Sequence, residues 1–214
     1  MKVLVFGSTG GTGRAVVARA LAEGHAVTAF ARDPARIDPA PGLTVAQGDA
    51  LRAEDVARAV PGHDAVAICL GERPGAFDWL PGRGGSTGVC EIGTRHILAA
   101  LPAEAPPRLV VVSAFGVGDT RDSAPWAIRL YLRLFMKALM ADKERQEALL
   151  KASGRDVLIV QPVALTDAPA TGDWLASPTG TIRRQQVSRG DLAQFIVAEL
   201  AEGRHRRASL AFSG

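Results

Sequence analysis

Short apolar runs rich in β-branched residues alternate with amphipathic stretches along almost the whole chain. Lys2 to Phe6 (Lys-Val-Leu-Val-Phe) has the composition of a strand buried on both faces. Ala15 to Glu23 then carries apolar residues at helical spacing and stops at Gly24, a favourable residue for leaving a helix. Ala26 to Phe30 predicts a second strand and Leu43 to Ala46 a short third, followed by Gly48-Asp49 and a helix around Ala53 to Val60. Asp64 to Leu70 is a fourth, buried strand ending in Gly71. Thr87 to Leu101 predicts a helix and Arg108 to Ser113 a fifth strand. A long helical pattern, broken or bent, runs from about Pro125 to Ala152 and stops at Ser153-Gly154. Val157 to Gln161 is strand six, ending before Pro162. Ser188-Arg189-Gly190-Asp191 has the pattern of a capping box opening a helix over Leu192 to Ala201, and Ala208 to Phe212 closes the chain as a last short strand. Such alternation predicts an α/β fold with a doubly wound parallel sheet. No repeat or low-complexity linker divides it, so residues 1–214 are expected to form a single domain.

The connection between the first strand and the first helix carries the chemistry. It reads Gly7-Ser8-Thr9-Gly10-Gly11-Thr12-Gly13-Arg14, a GxxGxxG spacing rather than the GxGxxG of conventional dehydrogenases. Gly7 permits a tight turn, Gly10 lets the backbone approach a pyrophosphate, and Gly13 lets helix and strand pack closely. The free amides and positive end of the helix dipole then face the phosphates. Glycines alone mark only a turn; the strand before and the helix after make this a dinucleotide site. An NAD site usually places an acid at the end of the second strand to accept from the ribose 2′-hydroxyl. Here the order is Ala31-Arg32-Asp33, with Arg36 a turn beyond and Arg14 directly after the glycines. A guanidinium pairs bidentately with a 2′-phosphate, in charge-assisted hydrogen bonds worth roughly 1.5–3 kcal/mol. NADP(H) is the expected cofactor, and Asp33 keeps NAD(H) possible.

Composition narrows the alternatives. With 214 residues, 47% of them hydrophobic, the chain can bury one sizeable core. The net charge is +3 and the pI about 9.2, but acids and bases are interspersed. Arg183-Arg184 and Arg206-Arg207 are short pairs without interleaved aromatics, which argues against nucleic-acid binding, while a basic balance suits a polyphosphate ligand. No apolar run approaches the roughly 18 residues of a membrane span, and the first strand begins at Lys2 with no signal peptide before it. A cytoplasmic protein with no membrane partner is expected. Cys69 and Cys90 read as buried free thiols, and His25, His63, His96 and His205 lie too far apart for ligand spacing, so no metal is expected. Three loops follow strand ends, where open α/β sheets bind ligands: Glu72 to Ser86 with Phe77 and Trp79, Ala114 to Pro125, and Thr166 to Ile182 with Trp174. Their aromatics either cap a flat substrate or anchor the loops on the core.

Taken together, the glycine turn, Ala31-Arg32-Asp33, Gly48-Asp49, Leu70-Gly71, Ser113-Ala114-Phe115-Gly116 and Lys143 through Ser153-Gly154 resemble the atypical short-chain dehydrogenase/reductases. More narrowly, they resemble the NAD(P)H-binding group that contains NmrA-like proteins and the biliverdin IXβ/flavin reductases, and the likeness spans essentially the whole chain. It implies a Rossmann-like fold with NADP(H) across the strand ends. Gly7, Thr9, Gly10, Gly11, Thr12 and Gly13 would hold the pyrophosphate, with Arg32, supported by Arg14 and Arg36, on the 2′-phosphate. Asp49 and Ala50 would flank the adenine, and Leu70, Gly71 and Arg73 would line the ribose and phosphates. Ser113, Ala114 and Phe115, with Pro162 and Val163, would surround the nicotinamide. From the loops that follow the strand ends, Trp79, Phe115 and Trp174 are the candidate substrate contacts. The plainer alternative is that Ser113 and Pro162 merely end their strands.

The chain departs from the family pattern at its acid. Typical members use Tyr-x-x-x-Lys, and Lys143 occupies the lysine position, but Leu139 stands at the tyrosine position. Tyr131, the sole tyrosine, is followed four residues later by Phe135. Lys143 therefore either contacts a ribose hydroxyl or is a solvent-facing helix lysine paired with Glu147. The histidine that some flavin reductases carry after strand six is also absent, with Val163 and Ala164 in that region. A positioned general acid is worth about 10²–10⁴-fold, and ketone reduction needs one. A flavin or quinone tolerates its loss, since the reduced form delocalises charge and collects a proton from water. The expectation is an NADPH-dependent oxidoreductase passing hydride to a flat conjugated small-molecule acceptor, with Ser113 and Lys143 the candidate catalytic residues. The alternatives are a non-catalytic NADP(H)-sensing regulator and, more remotely, a sugar-nucleotide epimerase or dehydratase. A monomer or weak homodimer is expected.

Overall fold

The computed structural model describes residues 1–72, 86–123 and 126–214. Its first three strands, β1 (Lys2–Phe6), β2 (Ala26–Ala31) and β3 (Leu43–Gln47), lie side by side in parallel, with β1 innermost. The chain then crosses to the other side of β1, where β4 (Ala65–Ile68), β5 (Arg108–Val112), β6 (Val157–Pro162) and β10 (Ala208–Ser213) continue the parallel sheet outward. A short antiparallel strand, β8 (Leu175–Ser177), closes the far edge against β10, giving the order β3-β2-β1-β4-β5-β6-β10-β8. This is a doubly wound, Rossmann-like sheet, and its strand order reverses between β1 and β4.

Alternation along each strand sends successive side chains to opposite faces. Val3 and Val5 join a core with Val16, Val17 and Ala20 of α1 (Gly11–Ala22) and Leu192, Ile196 and Leu200 of α6 (Arg189–Glu202). Leu4 and Phe6 join the opposite core, with Val56 of α2 (Ala53–Ala59), Cys90 and Ile97 of α3 (Val89–Ala100) and Leu150 of α5 (Lys137–Ala152). Burial on both faces explains why the strands read as near-continuous apolar runs. Each fully buried Leu, Ile or Phe contributes about 1.5–3 kcal/mol to this arrangement.

The long helical pattern is indeed broken, into α4 (Trp126–Phe135) and α5, at Met136, whose backbone leaves the helical region (φ −125°, ψ 17°). Ser188 caps α6 by accepting from the Asp191 amide at 2.9 Å, so that helix starts at Arg189, before the expected Leu192. The expected loop from Thr166 to Ile182 is only partly a loop. It holds β8, and Thr166 ends β7 (Ala164–Thr166), which pairs in parallel with β9 (Gln186–Ser188) as a separate two-stranded sheet. Strands of three residues carry too few positions to show an alternating pattern, and their pairing is set by neighbours distant in sequence. Among the described residues no helix is long and apolar enough to cross a membrane.

Candidate functional site

The glycine turn is shaped by contacts that leave no room for a side chain. Gly7 has φ of 76°, and a Cβ there would lie 2.3 Å from the Cys69 carbonyl oxygen of the neighbouring chain segment. A Cβ on Gly13 would lie 2.1 Å from the Gly7 oxygen, so the helix reaches the strand only because position 13 is bare. The Gly10 amide donates to that same oxygen at 3.0 Å and closes the turn. Below it, the buried Ser8 hydroxyl donates to the Phe30 carbonyl at 2.8 Å and ties the turn to β2. Gly10 begins α1 without any side-chain cap, and no acid stands in the helix's first turn. The first-turn amides thus face outward as an anion cradle.

In front of this turn, at the β1/β4 reversal where open sheets bind ligands, lies a cleft of about 580 Å³. Of the residues expected at the cofactor, Gly7, Thr9, Gly10, Arg32, Arg36, Asp49, Ala50, Leu70 and Gly71 line it. Gly11 and Arg14 line an adjoining cavity of about 340 Å³, shared with Thr9, Arg36, Asp167 and Arg189. Thr12 and Gly13 support the turn from within α1 and line neither cavity. Arg73 and Trp79 lie outside the described residues. Asp33 does not line the cleft: its carboxylate accepts from the Ala35 amide at 3.1 Å and caps the short 3-10 turn Pro34–Arg36. Arg14 donates to the Arg36 carbonyl at 3.3 Å. Among the described residues no carboxylate lies within ion-pairing distance of Arg14, Arg32 or Arg36. Asp49 is fixed twice over, its amide donating to Asp55 at 2.9 Å and its carboxylate accepting from the Leu51 amide at 3.0 Å. The Asp49 amide, followed by Arg52 and Arg58, holds the Asp55 carboxyl below the usual carboxylate range.

At the carboxyl ends of β5 and β6, beside the cleft, the polar groups are largely consumed by the protein itself. Lys143 neither faces solvent nor pairs with Glu147, which corrects one of the two readings given above. Its ammonium donates to the carbonyls of Leu70 at 2.7 Å and Val112 at 2.6 Å and to Gln146 at 3.1 Å. All three of its protons are used, so a ribose contact requires one of these bonds to be exchanged. Ser113 donates to the buried carboxylate of Glu147, which also accepts from Gln161 at 2.9 and 3.1 Å. Burial pushes the Glu147 carboxyl above the usual range, against the pull of the Ser113 and Gln161 hydrogen bonds and of Lys151. Phe115 is 8% exposed, and its ring belongs to the α1/α6 core, while its amide donates to the Pro162 carbonyl at 2.9 Å. That ring therefore does not form a substrate wall as expected. Val163 is likewise buried in that core, leaving half-buried Ala114 to border the strand ends. Trp174 packs on Phe212, with ring centroids 6.1 Å apart, and so anchors its loop. Tyr131 is exposed on α4 and packs on Phe135 at 5.3 Å.

Several residues that organise the site escaped the sequence reading. From α5, Asp142 accepts from the Cys90 and Glu91 amides, each at 3.0 Å, and caps α3. Gln146 donates to Thr94 at 2.8 Å. The one signal was the run of polar residues at positions 142, 143, 146 and 147, a helical spacing that puts them all on one side of α5. Both cysteines are free, and burial pushes the thiol of Cys69 up to about 12 and that of Cys90 to about 11, so neither is a nucleophile near neutral pH. No cluster of metal-ligating side chains occurs among the described residues.

Known proteins place this geometry in context. A family described as NAD(P)H-binding matches residues 7–203. An uncharacterised chloroplastic protein of Arabidopsis thaliana is 30% identical over 208 residues, covering 94% of this chain and 72% of that one. Among solved structures, a short-chain dehydrogenase/reductase of Veillonella parvula in complex with NADP matches with a TM-score of 0.78 at 19% identity, over 100% of this chain and 94% of that one. ChuY, an anaerobillin reductase of Escherichia coli O157:H7, matches with a TM-score of 0.73 at 24% identity, over 100% and 97%. Those two structures share the fold. With the family match running from the first glycine of the turn to the end of α6, this chain belongs to the NAD(P)H-binding family.

Proposed function

We propose that the protein is an NADPH-dependent reductase that passes hydride to a flat, conjugated acceptor such as a flavin or a quinone. The observation that carries the coenzyme preference is the wall of the cleft. Among the described residues Arg32 and Arg36 line it without carboxylate partners, while Asp33, the acid that follows Arg32 after β2, is spent on its own backbone. Two guanidiniums then meet a 2′-phosphate, which NADH lacks. The residues fit a dinucleotide: the bare glycine turn admits a pyrophosphate against the α1 amides, and Asp49 and Ala50 border the space beside β3 for an adenine. A bound nicotinamide coenzyme supplies the hydride. The protein's part is to orient and to shield from water, since Lys143 and Ser113 donate their protons inward. An acceptor that spreads its charge over a conjugated ring needs no tyrosine.

Titration of the wild type and of Arg32→Ala with NADPH and NADH, followed by an acceptor screen, tests this. Arg32→Ala is expected to weaken NADPH about tenfold or more while barely changing NADH. NADPH oxidation is expected with FMN or a quinone. Equal weakening of both coenzymes overturns the NADPH preference, and no turnover with any acceptor overturns the reductase. The same inward hydrogen bonds favour one other reading, an NADP(H) sensor. It gains support if NADP⁺ and NADPH bind with clearly different affinities in the absence of turnover.

A further inference from the structure

Gly11 is not one of the three glycines that the turn requires, and its bareness has a different cause. A Cβ there would lie 2.7 Å from Nε and 3.0 Å from Cδ of Arg189, the first residue of α6. The Arg189 side chain thus lies flat on the start of α1, beside the outward-facing amides. Its base is firmly held. Ser188 caps α6, and Asp191 accepts from the Thr171 and Gly172 amides at 2.9 and 2.8 Å, fixing the loop that follows β7. Its tip is not. The guanidinium donates to Asp167 at 2.7 Å, and that carboxylate is 89% exposed, whereas the Arg189 side chain is 27% exposed. An ion pair so open to water contributes little. Arg189 also shares its cavity with Arg14 and Arg36, two further guanidiniums without a carboxylate partner among the described residues.

We propose that Arg189 is a pyrophosphate-binding residue of the coenzyme site, supplied by α6, and that Asp167 holds it in place until coenzyme arrives. This rests on the coenzyme reading above. The planar fork of a guanidinium matches two phosphate oxygens, and exchange of one exposed carboxylate for a doubly charged pyrophosphate favours the phosphate. Released Asp167 returns to water at little cost. Because NADPH and NADH carry the same pyrophosphate, Arg189 acts on both alike, unlike Arg32.

The test is titration calorimetry of Arg189→Gln and Asp167→Asn with NADPH and NADH, beside the wild type and Arg32→Ala. Arg189→Gln is expected to weaken both coenzymes by the same factor, about tenfold. Asp167→Asn is expected to tighten both, because it removes the competing acid; a merely structural role for the pair gives no such gain. The proposal is overturned if Arg189→Gln leaves both affinities unchanged, if it weakens NADPH alone, or if Asp167→Asn weakens binding. A wild type that binds neither coenzyme overturns the coenzyme reading itself, and this proposal with it.

Discussion

The two ends of the candidate site, the cleft and the neighbouring strand ends of β5 and β6, are built on opposite principles. At the adenosine end, the α1 amides, Arg32 and Arg36 are left without acidic partners among the described residues. At the strand ends of β5 and β6, Lys143, Ser113, Glu147 and Gln161 bond one another or nearby groups, and of their polar atoms Gln161 Oε1 is left buried without a partner among the described residues. Unsatisfied donors are costly when buried and persist where a ligand or water meets them. The first end is therefore a binding surface. The second is a rigid floor, and its chemistry comes from what is bound above it.

The contrast is broken most decisively at Gly13. Alanine there puts a methyl carbon 2.1 Å from the Gly7 oxygen, a backbone atom with nowhere to move unless α1 lifts from β1. Gly13→Ala is expected to lose about 3 kcal/mol of stability and to abolish coenzyme binding. Chemical denaturation and NADPH titration would measure both. A variant of unchanged stability that still binds would mean that the turn tolerates a side chain and is not built around a phosphate.

The same contrast explains what was legible in the sequence. The glycine turn and Asp33 are mostly local features. Gly10 and Gly13 meet Gly7 and Asp33 meets Ala35, so spacing reveals much of the geometry, though Gly7 also presses on distant Cys69 and Ser8 bonds Phe30. Even there, the fate of Asp33 turned on one hydrogen bond to Ala35. The floor is non-local. Lys143 bonds Leu70, 73 residues away, and Ser113 bonds Glu147, 34 residues away. No periodicity distinguishes a helix lysine facing solvent from one reaching across two strand ends. For the fold, the long apolar strands announced themselves because both faces are buried, whereas β7, β8 and β9 are three residues each and had no pattern to show.

Glu147 sharpens the floor's side of the comparison. Burial raises its carboxyl, so the folded state favours the protonated form. The corresponding stability is fully present below the unfolded value near 4.5 and is lost as pH rises through the higher folded value. Glu147→Gln keeps the shape and removes the charge. Relative to wild type it is expected to gain stability as pH rises through the raised folded value. Melting temperatures followed from acid to neutral pH check this. A difference that stays constant, or that grows toward acid, would show that Glu147 is held charged and that the floor is an ion-pair network with Lys151.

The smallest effect is expected at Asp33, and it probes the adenosine end where the two coenzymes differ. If Asp33 were a ribose ligand, Asp33→Ala would weaken NADH sharply, because a buried hydroxyl left without its acceptor costs about 1–3 kcal/mol. In the structure the carboxylate caps Pro34–Arg36 instead, and it is exposed. Its loss then costs only a cap on a three-residue turn, toward the low end of the 0.5–2 kcal/mol typical of helix caps. Asp33→Ala is expected to lower stability slightly and to change NADH affinity less than twofold, about 0.4 kcal/mol. NADPH should bind equally well or a little tighter, since a negative charge beside the 2′-phosphate is removed. A marked selective loss of NADH would move Asp33 into the cleft and leave Arg32 and Arg36 with a competing acid.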